Sequence, residues 1–327
     1  MNSTETPYAT LIPDLILDAV ESLGFLCSGS LLALNSYENR VYQIGIEDET
    51  PIIAKFYRPQ RWTNEAILEE HQFALELQSH EIPVIAPLDI NGTTLHEHAG
   101  FRFALFPRKG GHALEIDNMA QLEQMGRFIG RMHAVGCCRP FQHRIRIDIN
   151  TYGHQPYRYL LENNFIPPEL KHNFCLAADA ALQLVTEKFQ SVDDLPYIRL
   201  HGDCHAGNVL WNEKALHIVD LDDCLMGPAI QDIWMLLSGS EHDTKQELKH
   251  ILNGYDEFHD FDRQELRLIE PLRTLRMIYY AGWLTKRWED PAFPANFPWF
   301  NTPRYWESQL QNLREQVAIL GESESLY

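Results

Sequence analysis

Apolar and polar positions in the first hundred residues alternate as they do in strands. SLLALNSYENRVYQIGI (30–46) reads as two apolar runs joined by a polar turn, and TPIIAKFYRP (50–59) as a third run closed by proline. In TNEAILEEHQFALELQSHEIP (63–83), Ala66, Ile67, Phe73, Ala74 and Leu77 recur near helical spacing. Thr63 or Asn64 stands where a cap is needed, and Pro83 ends the pattern. VIAPLDI (84–90), TTLHEH (93–98) and FRFALFP (101–107) read as further strands.

The period changes after FPRKGGHAL (106–114). DNMAQLEQMGRFIGRMHAVG (117–136) places Leu122, Met125, Phe128, Ile129 and Met132 on one helical face, with Asp117 as the expected cap and Gly136 as the stop. Helical periods return over 155–164, 167–189, 228–239, 244–259, 263–289 and 303–320, broken by short strand-like pieces at RLHGDCHAGNVLW (199–211) and ALHIVDLDD (215–223). The pattern predicts an α+β chain of two lobes. Residues 1–107 form a β-rich lobe, residues 108–327 a mainly helical one, and the Pro- and Gly-bearing stretch 106–111 is the hinge.

Composition narrows the classes. A chain of 327 residues with 45% hydrophobic and 22% charged residues is ordinary for a globular protein of two lobes. Its formal net charge of -19 argues against nucleic-acid or anionic-membrane partners, which need clustered Lys and Arg. The first 107 residues carry 5 basic and 15 acidic side chains, so an anionic ligand there must be held by local amides, a few cations or a metal. Six cysteines, two of them adjacent (Cys137 and Cys138), read as thiols of a reducing compartment. With no apolar leader or membrane-length apolar run, the expected location is the cytosol.

RLHGDCHAGNVLW crowds His201, Asp203, Cys204, His205 and Asn208 into one stretch bordered by strand-forming residues. The i, i+2, i+4 spacing of His201, Asp203 and His205 suits neither the helical His pair of zinc hydrolases nor a Cys-x-x-Cys clamp. A catalytic loop fits better. Asp203 can accept a proton from an attacking hydroxyl, and the oxygen of Asn208, five residues on, is a hard ligand for Mg²⁺. Asp220 follows at the end of an apolar run. This Asp-x₄-Asn with a later strand-borne Asp is the order of base, second metal ligand and main metal ligand used in phosphoryl transfer. Asp203 and Asp220 are thus the catalytic candidates, with Asn208 and Asp220 as the metal ligands. Lys55 lies in the strand-like IIAKFY, where a buried ammonium needs a carboxylate; Glu70, or its neighbour Glu69, supplies one from the next helix.

With these residues in place, HGDCHAGN and VDLDD are similar to the catalytic and metal motifs of aminoglycoside phosphotransferase- and choline kinase-like enzymes. LNSYENRVYQ, KFYRPQRW, ILEEHQFALEL, LHGDCHAGNVLW, DLDDCLMGPAIQDIWMLL and DPAFPANFPWF together resemble the bacterial stress response kinase A family over nearly the whole chain. The resemblance implies a two-lobed, protein-kinase-like fold and a cytosolic, ATP- and Mg²⁺-dependent serine/threonine protein kinase of the stress response that also phosphorylates itself. It places Ser36 in the turn that covers the nucleotide and Phe106–Pro107 at the strand whose backbone reads adenine. Asp232 would brace the amides of the catalytic loop. ATP and a protein hydroxyl are the expected partners, and a monomer the expected state.

The chain departs from ordinary protein kinases in two places. No G-x-G-x-x-G joins the first strands, and only Cys224–Gly227 separates DLDD from the next Pro, too little for a long activation loop. Asp222 and Asp223 are expected as solvated caps, His201 as a satisfied core histidine, and His205 could approach a phosphate or substrate hydroxyl. Cys204, inside the loop, suggests sensitivity to oxidants. The same catalytic residues would serve a small-molecule kinase for an amino-alcohol or sugar, and a non-catalytic nucleotide-binding module is the third alternative.

Overall fold

The computed structural model describes residues 6–212, 215–238 and 241–322. The chain divides into two compact units. One gathers the chain up to Glu115 with Phe141–Arg144 and His205–Cys224; the other holds Ile116–Pro140, Ile145–Cys204 and the chain from Leu225 on. The division is not a single cut near 106–111. Residues 205–224 pair their backbone with the first unit: Ile218 N–H donates to Pro83 O and Ile85 N–H to Ile218 O, at 2.8 and 3.0 Å.

In the first unit, helix α1 (Pro13–Glu21) precedes strands β1 (Cys27–Ala33), β2 (Arg40–Ile46) and β3 (Ile52–Phe56). Helix α2 (Asn64–Ser79) and strands β4 (His96–His98) and β5 (Phe101–Pro107) follow, giving an antiparallel sheet of order β1-β2-β3-β5-β4. Strand periodicity decides what each face holds. Ile52, Ala54 and Phe56 of β3 join Phe101, Phe103 and Leu105 of β5 and Ile16, Ala19 and Val20 of α1 in one buried cluster. The odd residues of β3 take the opposite face. Lys55 is registered against Val41 and Ala104, and Ala104 packs with Ile67 of α2 and Tyr57. A smaller sheet joins β6 (His112–Ala113), β8 (Val209–Asn212) and β9 (Ala215–Ile218) in the order β6-β8-β9.

The second unit is helical around one short ribbon. Strand β7 (Ile198–Leu200) pairs antiparallel with β10 (Leu225–Gly227). Its helices are α3 (Met119–Gly136), α4 (Gln155–Glu162), α5 (Pro168–Gln190), α6 (Ile230–Trp234), α7 (Glu241–Tyr255), α8 (Ile269–Lys286), α9 (Ala292–Asn296) and α10 (Pro303–Gly321). Among the described residues, no helix is long and apolar enough to cross a membrane.

Most expected helices are present, and the differences have local causes. Helix α1 falls in a stretch read as strands, although Pro13 at its first position and Ile16, Ala19 and Val20 at i, i+3, i+4 mark it. VIAPLDI forms no strand; Pro87 interrupts any ladder, and only isolated bridges at Val84 and Ile90 remain. TTLHEH contributes only β4. Thr63 caps α2, its side chain accepting from Ala66 N, whereas α3 is capped by Asn118 rather than Asp117. The helix expected over 228–239 shrinks to α6, since the chain turns at Met235 and Leu236; Gly239 lies outside the described residues. The 263–289 helix opens as a tight turn over Arg263–Leu268 before α8.

Helices α3 and α7 meet through glycines. A Cβ on Gly126 would stand 2.0 Å from Ile251 O, and one on Gly130 2.6 Å from Tyr255 O. Neither backbone atom can swing aside as a side chain would. Gly126→Ala is expected to destabilise the fold by about 1–3 kcal/mol through overpacking, read as a lower denaturant midpoint at an unchanged slope.

Candidate active site

The first unit gathers its candidate residues around a buried ammonium. Lys55 Nζ lies 3.2 Å from Glu70 Oε1, 3.2 Å from Asp220 Oδ1 and 3.2 Å from Asp222 Oδ1. Glu70 occupies the buried stripe of α2, three residues from Ile67 and four from Ala74, so it points where Lys55 points. Burial works against the charge on Lys55, but Asp222, Glu70 and Asp220 more than offset it and raise its pKa well above the ordinary lysine value. Lys55 is therefore no edge-strand lysine facing water.

Glu69 serves another purpose. Its carboxylate accepts backbone N–H bonds from Gln142, His143 and Arg144 at 2.6, 2.7 and 3.1 Å, fixing that segment beside α2. Arg144 in turn donates through Nε to Cys224 O at 2.9 Å, through Nη2 to Asp222 O, and lies over the Trp62 ring at 4.1 Å. The loop 220–224 is thus held by its main chain.

Asp222 departs from the expectation of a solvated cap. It is 3% exposed and lies between Lys55 and Arg61, whose Nη1 donates to its Oδ2. Burial pushes its carboxyl up, yet Arg61, Lys55 and Arg144 outweigh that and hold it well below the usual carboxylate range. Asp223 is half exposed and pairs with the other arm of Arg61. Engaged in this way, Asp222 is a poor candidate for a metal ligand.

Asp220 and Asn208 fit one better. Asp220 sits in the left-handed region (φ 63°, ψ 67°) and keeps 54% of its side chain exposed despite the Lys55 contact. Val219 N–H donates to Asn208 O at 3.0 Å, which sets the amide-bearing residue beside the aspartate. A carboxylate and a carboxamide oxygen are hard donors of the kind Mg²⁺ takes. The remaining candidates of this unit lie in the sheet, its turns and the turn before β8. Ser36 Oγ donates to Asn39 O at 3.0 Å within the 34–39 turn, and Phe106, paired with Ile53, meets His71 edge-on at 6.4 Å. His205 caps the short turn Ala206–Asn208, its Nδ1 accepting from Gly207 N at 3.0 Å.

The second unit holds Asp203 on the turn that follows β7. Asp232, 0% exposed on α6, accepts from His201 N and Gly202 N at 2.8 Å each. Its Oδ2 also meets His133 Nε2 at 3.1 Å, and His133 Nδ1 meets the Tyr255 hydroxyl at 3.0 Å. Gly202 (φ 84°) makes the turn possible, and Gln231 Nε2 donates to its carbonyl at 3.0 Å. Asp203 N–H reaches His201 Nδ1 at 3.3 Å, so His201 is a buried, hydrogen-bonded histidine of the core. Arg276 Nη2, from α8, lies 2.9 Å from Asp203 Oδ1 and orients the carboxylate. Cys204 does not suit a redox sensor. Burial, with Asp232 and Asp203 adding to it, raises the thiol well above its ordinary value, and the residue is 1% exposed.

No motif or spacing in the sequence marks Arg61, Arg144 or Arg276. KFYRPQRW did contain Arg61, but nothing in spacing distinguishes a clamping arginine from a surface one.

The chain matches the model of a family described as "Phosphotransferase enzyme family" over residues 30–269. It is 48% identical over 322 residues to Stress response kinase A of Escherichia coli O157:H7, covering 98% of this chain and 97% of that protein. Serine/threonine protein kinase RdoA of Salmonella typhimurium (strain LT2) is 47% identical over the same shares. Among solved structures, the amicoumacin kinase hAmiN in complex with AMP-PNP, Ca²⁺ and Ami superposes with a TM-score of 0.72 at 20% identity, over 93% of this chain and 92% of that one. Spectinomycin phosphotransferase APH(9)-Ia, with ADP and spectinomycin, gives 0.66 at 16% identity over 94% and 98%. Both likenesses are of fold: the α+β architecture is that of the kinase-like phosphotransferases.

Two measurements follow from this geometry. Lys55→Met strands Glu70 and Asp222 without their shared cation and should destabilise by about 3–5 kcal/mol; adding Glu70→Gln should recover part of the loss in denaturant unfolding. Glu265 supports α6, its Oε2 accepting from Ile230 N at 2.8 Å, while burial pushes its carboxyl up to about 7. A carboxyl raised in the folded state binds a proton more tightly there than when unfolded, so stability falls as pH rises from about 4.5 to 7 and is flat above. Glu265→Gln should remove this decline, read as the pH dependence of the unfolding midpoint.

Proposed function

The chain belongs to the phosphotransferase enzyme family, and from that premise we propose that it transfers the terminal phosphoryl group of ATP to serine and threonine hydroxyls of proteins, its own included. The observation that carries the reading is Lys55 gathered with Glu70 and with Asp220, each at 3.2 Å. Full-length kinship with proteins named stress response kinase and serine/threonine protein kinase supports the acceptor class and a role in bacterial stress. A cytosolic monomer is part of the reading.

Lys55 offsets the negative charge of the nucleotide phosphates, and the amides of the turn bearing Ser36 cover them. The main chain at Phe106–Pro107 meets the adenine edge. Asn208 and Asp220 would hold Mg²⁺, which would supply positive charge to offset that of the phosphates. Asp203, oriented by Arg276, takes the proton of the acceptor hydroxyl as its oxygen bonds to phosphorus and the bond to the departing ADP breaks. Asp232 keeps that loop from relaxing by holding two of its amides.

Asp203→Ala should lower phosphate incorporation into protein by about 10²–10⁴-fold while calorimetry still detects ATP. Asp220→Ala should remove the Mg²⁺-dependent part of nucleotide binding. Full activity of Asp203→Ala would overturn the base assignment. Phosphopeptide mapping of cell extract treated with wild type or Asp203→Ala tests the acceptor; a small alcohol or amino-sugar turned over far faster than any protein would overturn the protein acceptor and leave phosphoryl transfer standing.

A further inference from the structure

Arg61 lies in KFYRPQRW, between β3 and α2, and its side chain is 8% exposed. Its guanidinium meets carboxylates from two distant parts of the chain. Nη1 donates to Asp222 and Nη2 to Asp223, while Nε lies 3.9 Å from Glu38 Oε1, with the Trp62 ring 5.2 Å away. The same Glu38 oxygen is 3.5 Å from Arg58 Nε. Glu38 belongs to the 34–39 turn, whose shape is set by Tyr8 OH donating to Glu38 O at 3.2 Å and by Arg58 N donating to Asn39 Oδ1 at 3.0 Å.

One side chain therefore joins the turn that carries Ser36 to the loop that carries Asp220. Ion pairing for stability alone does not ask for this arrangement, since apolar replacements of buried pairs are often neutral. The loop, however, has a particular need. Asp220 is in the left-handed region, which strains a non-glycine residue. Arg144 secures carbonyls of the loop, and Arg61 secures its side chains. A planar fork gripping carboxylates of consecutive residues fixes the rotation of the loop about its own axis, which a point charge does not.

We propose that Arg61 is a positioning residue for phosphoryl transfer: it holds Asp220 toward the metal-bearing nucleotide and, through Glu38, couples that loop to the turn over the phosphates. The proposal rests on the metal-facing reading of Asp220 given above.

Amide exchange by mass spectrometry, on the chain without nucleotide or metal, tests the clamp apart from that reading. Arg61→Ala and the milder Arg61→Lys should speed exchange over 219–224 by about tenfold or more, with 40–56 unchanged. The Mg²⁺ concentration for half-maximal ATP binding should rise by a similar factor. Guanidinium ion should restore it for Arg61→Ala but not for Asp220→Ala, a rescue that a merely unstable variant would not show. Glu38→Gln should speed exchange at 34–39 and, to a smaller degree, over 219–224, and should weaken ATP binding; unchanged exchange over 219–224 would overturn the coupling. Unchanged exchange over 219–224 in both Arg61 variants would overturn the proposal. Faster exchange with an unaltered Mg²⁺ requirement would keep the clamp but overturn the positioning role, while Asp220→Ala tests the metal role of Asp220 separately.

Discussion

The first unit depends on keeping one ammonium charged where little water reaches it. Strand parity puts Lys55 on the α2 face of the sheet, away from the apolar cluster shared with α1. Glu70, Asp220 and Asp222 answer that burial, and further cations secure the loop behind them: Arg61 on Asp222 and Asp223, Arg144 on the carbonyls. Four cations, Lys55, Arg58, Arg61 and Arg144, stand among five carboxylates, Glu38, Glu70, Asp220, Asp222 and Asp223. The cluster is thus one negative charge in excess, and the least buried of its carboxylates on the Lys55 side is Asp220. An electrostatic balance of this sort favours a cation arriving with its anionic ligand over a bare anion.

The second unit solves a different problem by different means. Asp203 sits on a turn whose shape comes from neutral groups of the main chain gathered on one buried carboxylate, Asp232. His133, Tyr255 and Gln231 complete the support, and the close approach of α3 to α7 at Gly126 and Gly130 sets Tyr255 against His133. Charge is concentrated around Lys55 in the first unit, while hydrogen bonding by neutral groups is concentrated around Asp232 in the second.

Much of this was legible because it leaves a local trace. Alternation reveals the strands around Lys55, helical spacing reveals α2, and the spacing of Asp203, Asn208 and Asp220 survives as a motif; the choice of Glu70 over Glu69 comes only from the structure. Asp222 was misjudged because its environment is non-local: burial by Lys55, Arg61 and Arg144 cannot be read from three acidic residues in a row. Arg276 was missed for the same reason, being 73 residues from Asp203. Residues 205–224 follow the helical stretches in sequence but pack with the first unit, because backbone pairing with Pro83 and Ile85 decides their place.

Glu69 and Glu70 are neighbours in sequence but about 100° apart around α2. One grips Lys55 and the other grips three successive amides of 142–144. The helix is thereby locked in phase, for a turn about its axis would release both grips together. Inserting or deleting one residue before Glu69 would present the wrong carboxylate to each partner, so α2 tolerates changes on its surface more readily than any change in its length.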